Sequence, residues 1–213
     1  MTGAGKGIGK AISKALAREA AQKSSVVLFN EDIIPLPRGA DILVACAGSH
    51  DRKRQLGGWS LTWQGASPDM FVPLNTSFDQ PWVNVSSMLI SMRENFWCKG
   101  CVFYSLNGTV YRTTDVAIAV VSEEPYAEYH GDKASPSKNG IILNREDEIC
   151  LNNLYTKKPE RPIIIVAISG RPIDLSRYYE IDQQGNAKGK RGVKAIVASW
   201  LMGEVGEGVS DIL

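Results

Sequence analysis

Four short runs in this chain are almost wholly apolar: residues 41–47 (DILVACA), 115–121 (DVAIAVV), 162–169 (PIIIVAIS) and 194–200 (KAIVASW). A run of this length without polar alternation, rich in Val and Ile, is a strand covered on both faces. Between these runs the apolar spacing changes to the helical period. Residues 10–23 repeat at Ile12, Ala15, Leu16 and Ala20, and residues 145–157 at Ile149, Leu151 and Leu154. Residues 88–96 and 204–213 read as further helices, residues 26–29 as a short strand and 102–104 as another β-rich run. Strands buried on both sides must be covered by helices on both sides, so the pattern predicts an α/β fold with a mainly parallel sheet.

The expected architecture is therefore an α/β sandwich with flavodoxin-like layering. Residues 1–13 form a Gly-rich N-terminal segment, and residues 14–213 the domain proper. In such sheets ligands bind beyond the carboxyl ends of the strands. That directs attention to the loops 48–65, 122–132, 169–175 and 200–208, each polar or carrying Gly or Trp.

Composition narrows the function classes. Twenty-four Lys+Arg stand against 23 Asp+Glu, a net charge of +1. No basic excess or stripe marks a nucleic-acid or membrane-surface protein. No apolar stretch approaches the ~20 residues of a membrane span, and the N-terminus carries no secretory h-region. Neither a nucleic-acid partner nor a membrane is expected. Four cysteines do not make a disulfide scaffold at this length. Cys46 lies in an apolar run and Cys150 in a helix, while Cys98 and Cys101 form a C-x-x-C without the second pair that a tetrahedral zinc site needs. Structural thiols are expected, with a local disulfide as the alternative, and no metal or cofactor.

The glycines of residues 2–9 (TGAGKGIG) precede a helix, as in a loop that lays a pyrophosphate against helical N–H groups. Glu31 and Asp32 follow at the distance of a ribose-binding acid. This opening resembles that of the short-chain dehydrogenases and implies an NAD(P)-dependent oxidoreductase. Tyr129 and Lys133 have the family's Y-x-x-x-K spacing, but Gly131 between them and Pro136 after them oppose the helix that would put both side chains on one face.

The loops after the apolar runs carry a different chemistry. Glu123, Glu124 and Glu128 follow the second run, Glu128 just beyond the stiff Pro125-Tyr126 pair. A partly desolvated carboxyl there would have a raised pKa and act as a proton donor, the first requirement of glycoside hydrolysis. Trp59 and Trp63 sit in a polar, Gly-rich loop. Their faces suit the C–H faces of pyranose rings and their N–H groups a hydroxyl, although spacing i, i+4 also suits packing in a core.

Five ordered segments strengthen this second reading. IPLP (34–37) with the strand 41–47, GGWSLTWQG (57–65), EEPYAEYHGD (123–132), SGRP (169–172) and WLMGEVGEGVSD (200–211) stand in one order along the chain. Together they resemble the C-terminal α/β-sandwich domain of glycoside hydrolase family 3, in the branch of β-glucosidases and exo-β-glucanases. The resemblance implies Glu128 as general acid/base, with Glu123 and Glu124 its rivals, and Trp63 supported by Trp59 as sugar-binding residues. Arg171 and Asp132 are expected as an ion pair or loop anchors, His50 as a framework hydrogen-bonding group and His130 as an exposed residue. The substrate implied is a β-glucan or β-glucoside. The family's nucleophilic Asp belongs to a (β/α)8 barrel of ~250 residues, so the resemblance also implies a barrel partner and little hydrolysis by these 213 residues alone. A non-catalytic carbohydrate-binding module is a further alternative. Members of the family are usually periplasmic or secreted, but the chain itself points to no compartment. Ser122 and Met202 replace the family's usual Gly and Pro, and residues 183–191 read as an insertion.

Overall fold

The computed structural model describes residues 3–66, 85–96, 100–110, 112–132 and 141–213. Its centre is a six-stranded sheet. Five of its strands are parallel: β2 (Ile42–Ala45), β3 (Val102–Ser105), β4 (Val116–Ser122), β6 (Ile163–Ile168) and β10 (Val193–Ala198). The sixth, β1 (Val26–Asn30), closes one edge antiparallel to β10. The order across the sheet is β1-β10-β6-β4-β2-β3. β5 (Ile141–Ile142) and β7 (Ile173–Asp174) form a small parallel pair, and β8 (Tyr179–Ile181) and β9 (Ala187–Gly189) a hairpin over the residues expected as an insertion.

The apolar runs form these central strands because their period-2 geometry feeds two cores at once. In β4, Val116, Ile118 and Val120 enter one core, and Ala117, Ala119 and Val121 the other. Every residue of β2, β4 and β6 is buried. α3 (Met88–Asn95) covers the first core together with the C-terminal segment around α5 (Glu207–Ser210), and α4 (Arg145–Lys157) covers the second. α4 starts at Asn144, whose side chain accepts from the Asp147 N–H, as an N-cap does. The remaining short helix, α2 (Lys53–Leu56), lies in the loop after β2.

Several expectations need correction. The helix α1 spans Gly3–Ser24 rather than 10–23, so the glycine run is helical and forms no strand-to-helix phosphate loop. Its buried face is also different. Ile12 and Leu16 are exposed, and Ala21 is the buried apolar residue. There α1 meets α5 so closely that a Cβ on Gly208 would lie 2.4 Å from the Arg18 carbonyl and 2.7 Å from Ala21 Cβ. Small residues set this crossing, which the apolar stripe did not reveal. The last helix is only Glu207–Ser210.

The described cysteines are not thiols. Cys46 and Cys150 form a disulfide with Cα atoms 5.5 Å apart across 104 positions of sequence, and Cys101 is also disulfide-bonded. Cys46 follows β2, Cys150 lies in α4, and both are fully buried where α4 packs on the sheet. Cys98 and Lys133 lie outside the described residues. Among the described residues no helix is long and apolar enough to cross a membrane.

Candidate active site

The chain runs from β2 outward to β3 and then back to β4 on the other side of β2. Such a reversal opens a crevice at the carboxyl ends of the two strands. The loops after β2 and β4 carry the candidate residues, so the topology brings them together.

A buried carboxylate holds this end of the sheet. Asp147 accepts from the Ala47 N–H at 3.1 Å, the Ser122 N–H at 2.8 Å and the Asn144 side-chain amide at 2.9 Å. It thus ties the ends of β2 and β4 to the start of α4. Burial pushes its pKa up, against the pull of those hydrogen bonds.

A second tie is Arg54, whose side chain is 7% exposed. It bonds Asp51 at 3.0 Å, the Ser122 hydroxyl at 3.3 Å and Glu124 at short range. Lys53 reaches the same Glu124 at 2.7 Å. The Ser122 hydroxyl is one of these acceptors. Glu123 is held on its other side by Arg171, at 2.8 and 3.0 Å, and accepts from the Ser169 hydroxyl. Arg171 also donates to the Gly131 carbonyl at 2.7 Å and lies 4.2 Å over the Tyr126 ring. The ion-pair partner of Arg171 is thus Glu123 rather than Asp132. Asp132 serves as a loop anchor, accepting from the Tyr129 N–H at 3.2 Å.

With Glu123 and Glu124 in ion pairs, Glu128 differs from both. It is exposed, and its Oε2 accepts from the Trp63 indole N–H at 2.6 Å. Its pKa is lowered by that bond first, then by its own backbone N–H and by Trp59. This reverses the sequence expectation of a desolvated carboxyl with a raised pKa. Desolvation needs apolar surface over the carboxylate, and the described residues leave it open to water.

The tryptophans are not core residues. Trp59 is 70% exposed and Trp63 43%. Their rings lie 6.3 Å apart, and the exposed Tyr129 ring stands edge-on to Trp63 at 5.7 Å. Trp59, Leu61 and Tyr129 all have positive φ, at 59°, 67° and 70°. Non-glycine residues rarely adopt this region, which costs of order 1 kcal/mol or more per residue. Here the chain is held by bonds such as Trp59 N–H to the Trp63 carbonyl at 2.9 Å.

The two loops dock through glycines and one amide. A Cβ on Gly58 would lie 1.9 Å from the Tyr126 carbonyl oxygen, and one on Gly65 would lie 2.4 Å from Pro125 Cβ. Gln64 accepts from the Ala127 N–H at 3.0 Å and donates to the Glu128 carbonyl at 2.8 Å. Beside this contact lies a cleft of about 210 Å³ with walls from all four expected loops, including Gly58, Tyr126, Ser169 and Leu201. Glu128, Trp59 and Trp63 stand outside its lining, in the open.

His50 donates to or accepts from the Ser87 hydroxyl at 2.9 Å, the framework bond expected of it. Burial, then the cations Arg52 and Arg93, lower its pKa. His130 is exposed. Among the described residues no group of three His, Cys, Asp or Glu side chains suits a metal ion. The sequence reading did not assign roles to Gln64, Arg54 or Asp147. Gln64 lies inside the Trp63-to-Gly65 corner already singled out, whereas the partners of Arg54 and Asp147 are set only by the loop topology.

Comparison with known proteins bears on the family and the fold. The family model of the glycosyl hydrolase family 3 C-terminal domain matches residues 25–213. The exo-1,3/1,4-beta-glucanase ExoP from a Pseudoalteromonas species superposes with a TM-score of 0.70 at 34% identity, covering 94% of this chain and 22% of that one. A mutant of the same enzyme gives 0.71 at 33% identity, covering 95% and 29%. A beta-glucosidase from Bifidobacterium adolescentis shares the fold at a TM-score of 0.58 and 17% identity, covering 93% and 26%. The chain thus spans less than a third of the length of these structures. Among curated proteins no sequence matches it.

Proposed function

The chain belongs to glycosyl hydrolase family 3, as a C-terminal domain of that family, and from this premise we propose that it supplies the general acid/base for retaining hydrolysis of β-D-glucosides and β-glucans. The observation that carries the reading is the environment of Glu128. Of the three glutamates on the loop after β4, two are held in ion pairs, whereas Glu128 has no ion pair among the described residues and accepts from the Trp63 indole beside the exposed Trp59.

Retaining hydrolysis needs one carboxyl to protonate the departing oxygen and a second, about 5 Å away, to attack the sugar carbon. Glu128 takes the first role and then, as carboxylate, activates the water that releases the sugar. Trp63, supported by Trp59, stacks on a pyranose face next to the bond being broken. The second carboxylate comes from a (β/α)8 barrel outside these 213 residues. Closure of the substrate and barrel over Glu128 removes water from it, and this raises a pKa that is low while the loop is open.

The test is kinetic, in the enzyme that joins this chain to its barrel. Glu128→Gln should slow turnover of β-gluco-oligosaccharides by about 10²–10⁴-fold. Formation of the glycosyl-enzyme from aryl glucosides with good leaving groups should fall much less, because such groups depart without a proton. Equal losses for both substrates would overturn the assignment. The 213-residue chain alone should turn over neither, and robust hydrolysis by it would overturn the division of carboxylates.

The exposed rings also favour a second reading, a carbohydrate-binding module without catalysis. It predicts oligosaccharide affinity that depends on Trp63, with hydrolysis unaffected by Glu128→Gln.

A further inference from the structure

Adjacent residues hold the main chain and the side chain of one glutamate. Trp63 donates from its indole to the Glu128 carboxylate at 2.6 Å. Gln64 accepts from the Ala127 N–H at 3.0 Å and donates to the Glu128 carbonyl at 2.8 Å. The two Gln64 bonds span the backbone of residues 127 and 128, and so constrain the dihedrals that aim the Glu128 side chain.

We propose that Gln64 is the positioning residue for Glu128, setting the direction of its carboxylate and coupling it to the Trp63 ring. The proposal rests on the reading of Glu128 as the acid/base.

The residue type follows from the task. A backbone segment offering one donor and one acceptor side by side needs a planar group with the complementary pair. A carboxamide has both, a carboxylate has no donor, and an aliphatic chain has neither. The reach is also appropriate, because the GGWSLTWQG loop and the EEPYAEYHGD loop are in backbone contact at Gly58 and Gly65. Other restraints act on the same loop, and one of them shares the Glu128 carbonyl with Gln64. Gly131 N–H bonds the Ala127 carbonyl at 2.7 Å, His130 N–H the Glu128 carbonyl at 3.0 Å, and Arg171 the Gly131 carbonyl. None of these takes the Ala127 N–H. Without Gln64 the Glu128 side chain keeps its loop but loses its fixed direction, and the bond to Trp63 loosens.

That consequence can be read on this chain without any hydrolysis. The Glu128 carboxylate is lowered in pKa by hydrogen bonds from Trp63, from its own backbone N–H and from Trp59, with no cation of the described residues among the causes. Its titration, followed by carbon-13 NMR of the side-chain carboxyl, therefore reports these bonds, that from Trp63 foremost. Gln64→Leu should move the Glu128 midpoint upward, toward that of Trp63→Phe, in a protein whose thermal unfolding still shows one cooperative transition. An unchanged midpoint in Gln64→Leu, with a raised one in Trp63→Phe, would overturn the proposal. Should Gln64→Leu fail to fold, the wild-type Ala127 amide decides. Slow hydrogen exchange supports its bond to Gln64, and exchange at the rate of a free loop overturns it.

In the enzyme joined to its barrel, Gln64→Leu should lower turnover of glucosides with poor leaving groups by about 10²-fold and spare those with good ones. Loss of the acid/base reading is a separate result, seen as full activity in Glu128→Gln with the titration shift in Gln64→Leu intact.

Discussion

The Trp63 indole nitrogen lies 2.6 Å from Oε2 of Glu128, a hydrogen bond between residues 65 positions apart. It joins the aromatic surface to the Glu128 carboxylate and makes one site of two loops. Trp63 can therefore be tested for two separable roles. Trp63→Ala removes ring and donor, and should weaken laminari-oligosaccharide binding by about 1 kcal/mol, roughly fivefold. Trp63→Phe keeps an apolar face and should lose less. Calorimetric titration of the three proteins checks this, and equal affinity throughout would remove Trp63 from the binding surface.

Gly58 sets how closely these loops approach. An added Cβ would fall 1.9 Å from the Tyr126 carbonyl oxygen, a backbone atom that cannot turn aside. Gly58→Ala should cost about 2–3 kcal/mol in urea denaturation and separate Trp63 from Glu128. A neutral substitution would mean that the loops dock less tightly than described.

The pair Arg171–Glu123 is largely removed from water, with side chains 22% and 14% exposed. Arg171→Met should destabilise by about 2–3 kcal/mol, discounted for that partial exposure, since it leaves Glu123 without its cation. Adding Glu123→Gln should recover part of the loss. A double-mutant cycle by denaturation measures the coupling, and additive losses would deny it.

The disulfide Cys46–Cys150 closes 104 positions of sequence. On the chain-entropy account, Cys46→Ser with Cys150→Ser should cost about 3–5 kcal/mol. Because both residues are fully buried, a mild reductant should leave the folded protein intact until unfolding exposes the bond. Urea midpoints with and without dithiothreitol, and thiol counting on the native protein, test both points.

His50 predicts a pH effect of definite sign. Its pKa is lower folded than unfolded, mainly through burial, so the unfolded chain binds more protons as pH falls below about 6.5. Stability carried by neutral His50 is present above that value and is lost between it and the lower folded pKa. His50→Gln should therefore flatten the fall in stability from about pH 7.5 to about pH 5.5. Parallel curves for variant and wild type would refute it.

Much of the fold follows from short-range pattern. Runs such as 115–121 and 162–169 are apolar on both alternating faces, and a strand with two apolar faces has few places to go other than the centre of a layered sheet. The order of the loop motifs likewise pointed to the neighbourhood of Glu128, Trp59 and Trp63. Choosing among three glutamates required the pairing of Arg171 with Glu123, and of Arg54 and Lys53 with Glu124, across 48 and some 70 positions. The α1 stripe misled for a related reason: Ile12 and Leu16 repeat at helical spacing, yet the close crossing at Ala21 and Gly208 selects another face.

The amino-acid sequence by itself determined the strands of the central sheet, most of the longer helices and the loops that meet, because these depend on side-chain period and backbone preference over a few residues. Only the tertiary structure decided which cysteines pair, which carboxylate stays out of ion pairs among the described residues, and that its pKa falls rather than rises. Those outcomes depend on distance and solvent around each group, and residues far apart in the chain acquire both only when the sheet brings their loops together.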